Sequence, residues 1–184
     1  MFRELDIREQ FYFAKNNYTN WLPRNPDENM FVQFMMDIYR SSEKIKESSS
    51  EVGVNHFNRG NKLYSQGDFR GAISSYTASF KVYPMCDTFL NLSMSFAKIK
   101  QYTHGLQISC DALAIADYLD IEDKLPVIYF QRGAIMAELL DSAWELSIAN
   151  TELVEFALDN FRQAEALGVP QARQYIKNIM DVLA

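Results

Sequence analysis

Cations are in short supply in this chain: 18 lysines and arginines stand against 24 aspartates and glutamates, for a formal charge of −6. A protein that grips a phosphate backbone needs a basic stripe, so the balance argues against nucleic acid as a partner. Cysteine and histidine are scarcer, two of each. Cys86 and Cys110 have neither a metal-site nor a redox-pair spacing, and read as two reduced, partly buried thiols of a cytoplasmic protein. His56 and His104 lie 48 positions apart and read as packing or surface residues. Glycine is limited to seven, with no Gly-x-Ser-x-Gly and no phosphate cradle; Gly67-Asp68-Phe69-Arg70-Gly71 is turn chemistry. Glu122 and Asp123 look like solvated loop charges. No apolar run approaches the roughly 18 residues of a membrane span, and no basic-then-apolar leader opens the chain. The expectation is a protein that is not an enzyme, with no cofactor, no metal and no membrane insertion.

What is abundant is apolar surface. Of 184 residues 48% are hydrophobic and 14% aromatic, the composition of a folded domain or short solenoid with a substantial core. The most informative stretch is residues 60–84, GNKLYSQGDFRGAISSYTASFKVYP. Gly60 sits inside a first helix, where a missing side chain admits a neighbour. Gly67 suits a left-handed cap and Asp68 an N-cap, so the chain turns there. Ala72, Tyr76 and Phe80 recur at helical spacing on a second helix. Tyr83-Pro84 stops it, because proline disfavours helix at the preceding residue. Two short helices of this kind cannot bury their apolar face alone and call for neighbours like themselves.

The segment resembles the tetratricopeptide repeat (TPR), whose pattern is W-x2-L-G-x2-Y…A-x3-F…P. The glycine, the turn, Ala72, Tyr76 and Pro84 match; His56 replaces the early tryptophan, and Leu63-Tyr64 covers the usual tyrosine. Residues 89–117 align as a second repeat, with Phe96 at the tyrosine position, Tyr102 in the turn, Gly105 opening the second helix and Ala112 as the later small residue. Ala72 to Gly105 is 33 positions, close to the family period of about 34. A third repeat is split between VIYFQRGAIMAEL around Gly133 and FALDNFRQAEALGVP with Ala157, Phe161, Ala164 and Pro170. Gly60 to Ala72 spans 12 positions but Gly133 to Ala157 spans 24, so about 12 residues are inserted. The expected fold is all-α, a right-handed superhelical solenoid of three TPR-like helix pairs with N- and C-terminal capping helices.

Residues 1–50 read as an N-terminal helical cap. Helices are expected over 2–15 and 30–46, a proline-interrupted loop over 16–29, and a hinge or N-cap at Ser48-Ser49-Ser50-Glu51. A sharper reading lays part of this region in the groove or in a dimer contact. Residues 51–169 form the array, with the insert at about 140–153 lengthening the first helix of the third repeat by up to three turns and carrying Trp144. Residues 170–184 form a C-terminal capping helix, with Pro170 in its first turn and Tyr175, Ile176, Ile179, Met180 and Leu183 facing one way.

In TPR arrays the first helices line a concave, peptide-binding face. The first repeat looks like those of co-chaperones that clamp the acidic C-terminal tails of Hsp70 and Hsp90 between two lysines, two asparagines and an arginine. Asn61 and Asn91 match that clamp; its three basic positions fall on Phe57, Val127 and Gln131. Arg59 and Arg132 stand one helical step away and point elsewhere. The projected groove comprises Phe57, Asn61 and Tyr64, then Leu90, Asn91, Met94 and Lys98, then Val127, Phe130, Gln131 and Ala134. It is an apolar trough with a few amides. The expected function is a non-catalytic protein–protein interaction adaptor or scaffold binding an apolar-anchored peptide or helix. The alternatives are a co-chaperone binding acidic tails through a degenerate clamp, and a self-assembling structural repeat protein. The partner is a protein or peptide in each case, and the sequence leaves the oligomeric state open.

Overall fold

The computed structural model describes residues 6–17, 43–118, 120–144 and 150–183. Among these residues there are eight α-helices and no strand: α1 (Ile7–Asn17), α2 (Glu43–Ser65), α3 (Phe69–Val82), α4 (Cys86–Lys98), α5 (Tyr102–Tyr118), α6 (Leu125–Trp144), α7 (Thr151–Ala166) and α8 (Ala172–Leu183). A 3-10 turn, Glu122–Lys124, precedes α6. The helices pair as α2 with α3, α4 with α5 and α6 with α7, and the pairs stack through α3 on α4 and α5 on α6, closed by α8 on α7. Along the other side α2, α4 and α6 adjoin one another in a row.

Four of the helix ends close by the same device. After α2, Gly67 takes φ +79°, its N–H bonds the Tyr64 carbonyl at 3.0 Å, and the Asp68 N–H reaches back to the Leu63 carbonyl at 3.0 Å. These crossed bonds satisfy carbonyls that the helix leaves orphaned. Gly168 (φ +95°) does the same after α7. Lys100 (φ +59°) and Asp120 (φ +55°) do so after α4 and α5 without glycine, a conformation costing a side-chain-bearing residue about 1–2 kcal/mol. Helix starts are capped too. Asp68 Oδ1 accepts the Gly71 N–H at 2.9 Å, and Asn150 Oδ1 accepts those of Glu152 and Leu153 at 2.9 and 3.2 Å. The serine run expected to be a hinge or N-cap lies instead inside α2; the helix penalty of serine is modest, a few tenths of a kcal/mol up to about 0.7 per residue. Apart from Asn16 and Asn17, which end α1, the loop expected over 16–29 lies outside the described residues, as does most of the helix expected over 30–46.

Two rings fix the register of the helix pairs. A Cβ on Gly60 would lie 2.5 Å from the Tyr76 ring, and one on Gly133 would lie 2.9 Å from the Phe161 ring. Gly60 and Tyr76 are 16 positions apart, Gly133 and Phe161 are 28, a difference of 12. Beyond its glycine α2 runs 5 residues and α6 runs 11; ahead of its ring α3 runs 7 residues and α7 runs 10. Among the described residues the third pair is therefore longer on both helices, by six residues after the glycine and three ahead of the ring. The first helix is longer, as expected; the three residues added to the second helix were not expected. The Trp144 side chain lies outside the described residues.

This longer hairpin overhangs its neighbour, and α1 fills the step. Its seat is made by α5, α6 and α7. Ala14, fully buried, and Ile7 join Leu139, Leu140 and Leu153 of the overhang, Val154 next to it, and Tyr102 and Leu106 of α5 in one cluster. Gln10, 1% exposed, donates from Nε2 to the Lys100 carbonyl at 2.7 Å and accepts the Thr103 N–H on Oε1 at 3.3 Å. It thereby caps the first turn of α5 from another helix. At the far end α8 buries a narrower stripe than expected. Ala172, Ile176 and Ile179 pack inward, whereas Met180 stays exposed.

Candidate functional site

The row α2–α4–α6 carries the residues expected to line the groove. Asn61 and Asn91, from adjacent first helices, meet directly: Asn91 Nδ2 donates to Asn61 Oδ1 at 2.9 Å. The Tyr76 hydroxyl reaches the same oxygen from α3 at 2.7 Å. Burial, opposed by the hydrogen bond from the Asn91 amide, holds the Tyr76 phenol above its ordinary pKa, so it remains a protonated donor through the neutral range. Phe57 leans on the Tyr76 ring at 5.9 Å. No cation stands at Phe57, Val127 or Gln131, the three positions where a carboxylate clamp has one.

The remaining positions divide by depth. Leu90 is buried in the core and offers no surface to a ligand. Phe57, Tyr64, Met94, Phe130, Gln131 and Ala134 are half-buried, while Lys98 and Val127 are exposed. Tyr64 turns edge-on to Phe69. At the other end Phe130 meets Phe161 and Tyr175 edge-on, with centroids 5.8 and 5.4 Å away, so α8 contributes an aromatic ring beside the groove positions. Among the described residues Gln131 Oε1 is enclosed with no hydrogen-bond partner; an unmet buried acceptor costs about 1–3 kcal/mol. The surface is a small amide centre with aromatic and aliphatic flanks.

No protein-family model matches the sequence, and no curated protein matches it. Solved structures do. The TPR domain of Arabidopsis OM64 aligns with a TM-score of 0.58 at 19% identity, covering 71% of this chain and 96% of that one. The first TPR of Spaghetti (RPAP3), bound to the HSP90 peptide SRMEEVD, aligns at 0.57 and 18% identity, covering 73% and 94%. The fold is that of a TPR domain. In TPR terms α2, α4 and α6 are the first helices of three repeats, and Tyr76 and Phe161 are the rings that pack on their glycines.

Arg132, next to a clamp position, does point elsewhere. It is 1% exposed, between the second and third TPR units. Its Nε donates to Asn160 Oδ1 at 3.0 Å, its Nη1 lies 3.3 Å from Cys110 Sγ, and its guanidinium sits 5.4 Å from the Phe156 centroid. Burial pushes the Cys86 thiol up to about 11, and both cysteines are free thiols. His104 stacks on Phe96, a packing role. Sequence reasoning missed the Tyr76–Asn61 bond and the Gln10 anchor. The first had a signal, since a tyrosine at a ring position where the third repeat has phenylalanine brings a hydroxyl that needs a partner. The second had none, because Gln10 reads as an ordinary polar residue on a short helix.

Proposed function

We propose that the face lined by α2, α4 and α6 docks a polypeptide segment with apolar anchors, making this chain a non-catalytic adaptor or scaffold. The observation that carries it is the contact of Asn61 with Asn91 at 2.9 Å on a face flanked by Phe57, Val127 and Phe130 and lacking the clamp cations. Amides orient a backbone while apolar neighbours supply affinity. Exposed Val127 gives a clean test, because a charge there leaves the core intact. Val127→Asp should weaken binding of a purified partner at least tenfold with no change in melting temperature; unchanged affinity refutes the reading.

A second reading, binding of acidic Hsp70 or Hsp90 tails, is supported by the juxtaposed asparagines and by the TPR neighbour that holds SRMEEVD. Magnitudes disfavour it. Charge-assisted hydrogen bonds contribute roughly 1.5–3 kcal/mol each against about 1 for neutral ones, and three cations are missing. The net charge of −6 also repels an acidic tail at long range. Titration with SRMEEVD decides it: micromolar binding would restore this reading. Self-assembly is the third reading, and a sedimentation series over concentration distinguishes it. The free thiols Cys86 and Cys110 support placement in a reducing compartment such as the cytoplasm. Among the described residues no helix is long and apolar enough to cross a membrane.

A further inference from the structure

Asn61 and Asn91 are a locked pair, not two free amides. Asn61 Oδ1 receives two donors, the Tyr76 hydroxyl at 2.7 Å and Asn91 Nδ2 at 2.9 Å. An amide oxygen has two lone pairs, so it is saturated and the orientation of the group is set. Its Nδ2 has no hydrogen-bond partner among the described residues. Asn91 is held in the complementary sense: its nitrogen is committed to Asn61 and to the Tyr76 hydroxyl, and its Oδ1 has no partner among them either. Neither atom is among the enclosed polar atoms, so both reach solvent. The pair therefore presents one donor beside one acceptor.

A carboxylate has only acceptors and would confront Asn91 Oδ1 with another negative oxygen, with no cation at Phe57, Val127 or Gln131 to offset it. A peptide group offers one acceptor and one donor, the complement of the pair. We infer that Asn61 and Asn91 read a backbone peptide group in the middle of a bound polypeptide, Asn61 donating to its carbonyl and Asn91 accepting from an N–H. This rests on the docking face proposed above and assigns its occupant: an internal, uncharged stretch of chain, not a free C-terminus. Tyr76 is a positioning residue. It is 1% exposed and acts only by holding the Asn61 and Asn91 amides in orientation.

The test uses short N-acetylated peptides with apolar residues at both ends, each made with a C-terminal acid and with a C-terminal amide. They are titrated into the nitrogen-15-labelled full chain while the side-chain amide signals of Asn61 and Asn91 are followed. Before any peptide is added, Asn91 side-chain protons should exchange more slowly than those of Asn61. Amidated peptides should bind at least as tightly as their acid twins and shift both signals. Tyr76→Phe keeps the ring, as Phe161 does in the third repeat. It should weaken amidated peptides roughly five- to tenfold, the loss of about one neutral hydrogen bond, with unchanged helix content and a melting temperature lowered by only about 2–4 °C. A tenfold preference for the acid twins overturns the inference while leaving the docking face standing. Binding that moves neither signal, or full affinity in Tyr76→Phe, does the same. Dependence on an asparagine or glutamine at one peptide position would assign the group to a side chain and overturn the backbone reading. Absence of binding by every twin, together with a Val127→Asp chain that keeps its partner, removes the docking face and this inference with it.

Discussion

Replacing Gln10 with alanine should destabilise the fold by about 2–3 kcal/mol, although the residue lies on a three-turn helix far from the repeat signature. The side chain is buried and bonds two backbone groups of the α4–α5 turn, the Lys100 carbonyl at 2.7 Å and the Thr103 N–H at 3.3 Å. Each group left unpaired away from water costs about 1–3 kcal/mol, with the longer bond at the low end. Freedom regained by the unfrozen side chain offsets part of this, on the order of 1 kcal/mol or more. The turn is also the place where Lys100 holds φ +59°, so the tie acts on a strained residue. Urea unfolding of the full chain measures the loss as a lower midpoint at constant slope. Amide exchange at Thr103 should quicken at least tenfold, which separates a lost tie from general softening. A change under about 0.5 kcal/mol, with Thr103 protection intact, would refute the claim that Gln10 caps α5.

Arg132→Met roughly keeps volume but strips Asn160 Oδ1 and Cys110 Sγ of a donor, so thermal melting should report a loss of about 2–4 kcal/mol; a neutral result would mean the surroundings close over the gap. Cys86 makes stability fall at alkaline pH. Its folded pKa of about 11 lies above the ordinary 9.0, so the unfolded chain loses its proton first. Its contribution is complete below pH 9 and declines by up to roughly 2–3 kcal/mol as pH rises to 11. Cys86→Ala should flatten that part of the stability–pH curve, and an unchanged curve in urea titrations at pH 8 to 11 would refute the assignment.

The fold was readable where residue type and backbone geometry are tightly coupled. Gly67 and Asp68 named a turn because few residues accept those dihedral angles, and Tyr83-Pro84 named a stop for the same reason. Gly60 marked close approach, and the offsets of Gly60 to Ala72 and of Gly133 to Ala157 revealed the twelve-residue insert. How the insert divides was not readable, because extra helical residues on either strand of the hairpin give the same spacing. Leu90 was misplaced onto the surface because it sits one step from Asn91 on α4, and a projection cannot tell rim from floor where neighbouring helices close over one edge. The amide centre was legible as two positions, Asn61 and Asn91. Its orientation was not, since it depends on the Tyr76 hydroxyl arriving from a helix 15 positions later.

The insert and α1 form one structural unit. A hairpin longer than its neighbour exposes the inner face of its overhang, and Leu139, Leu140 and Leu153 all lie there yet are buried. Burying a side chain of this size stabilises by about 1.5–3 kcal/mol, so even half of that burial owed to α1 is on the order of 2–5 kcal/mol. Domains of this size have only about 5–15 kcal/mol in total. Removing residues 1–17 should therefore cost a large share of the stability and expose an apolar step prone to association. If α1 is there to cover that step, shortening the third hairpin by its twelve extra residues should restore a cooperative melt to the truncated chain. A truncated chain that melts within a few degrees of the intact one would show that the overhang covers itself. A doubly shortened chain that stays unfolded would show that α1 supports the second repeat directly, through Gln10 and the α4–α5 turn.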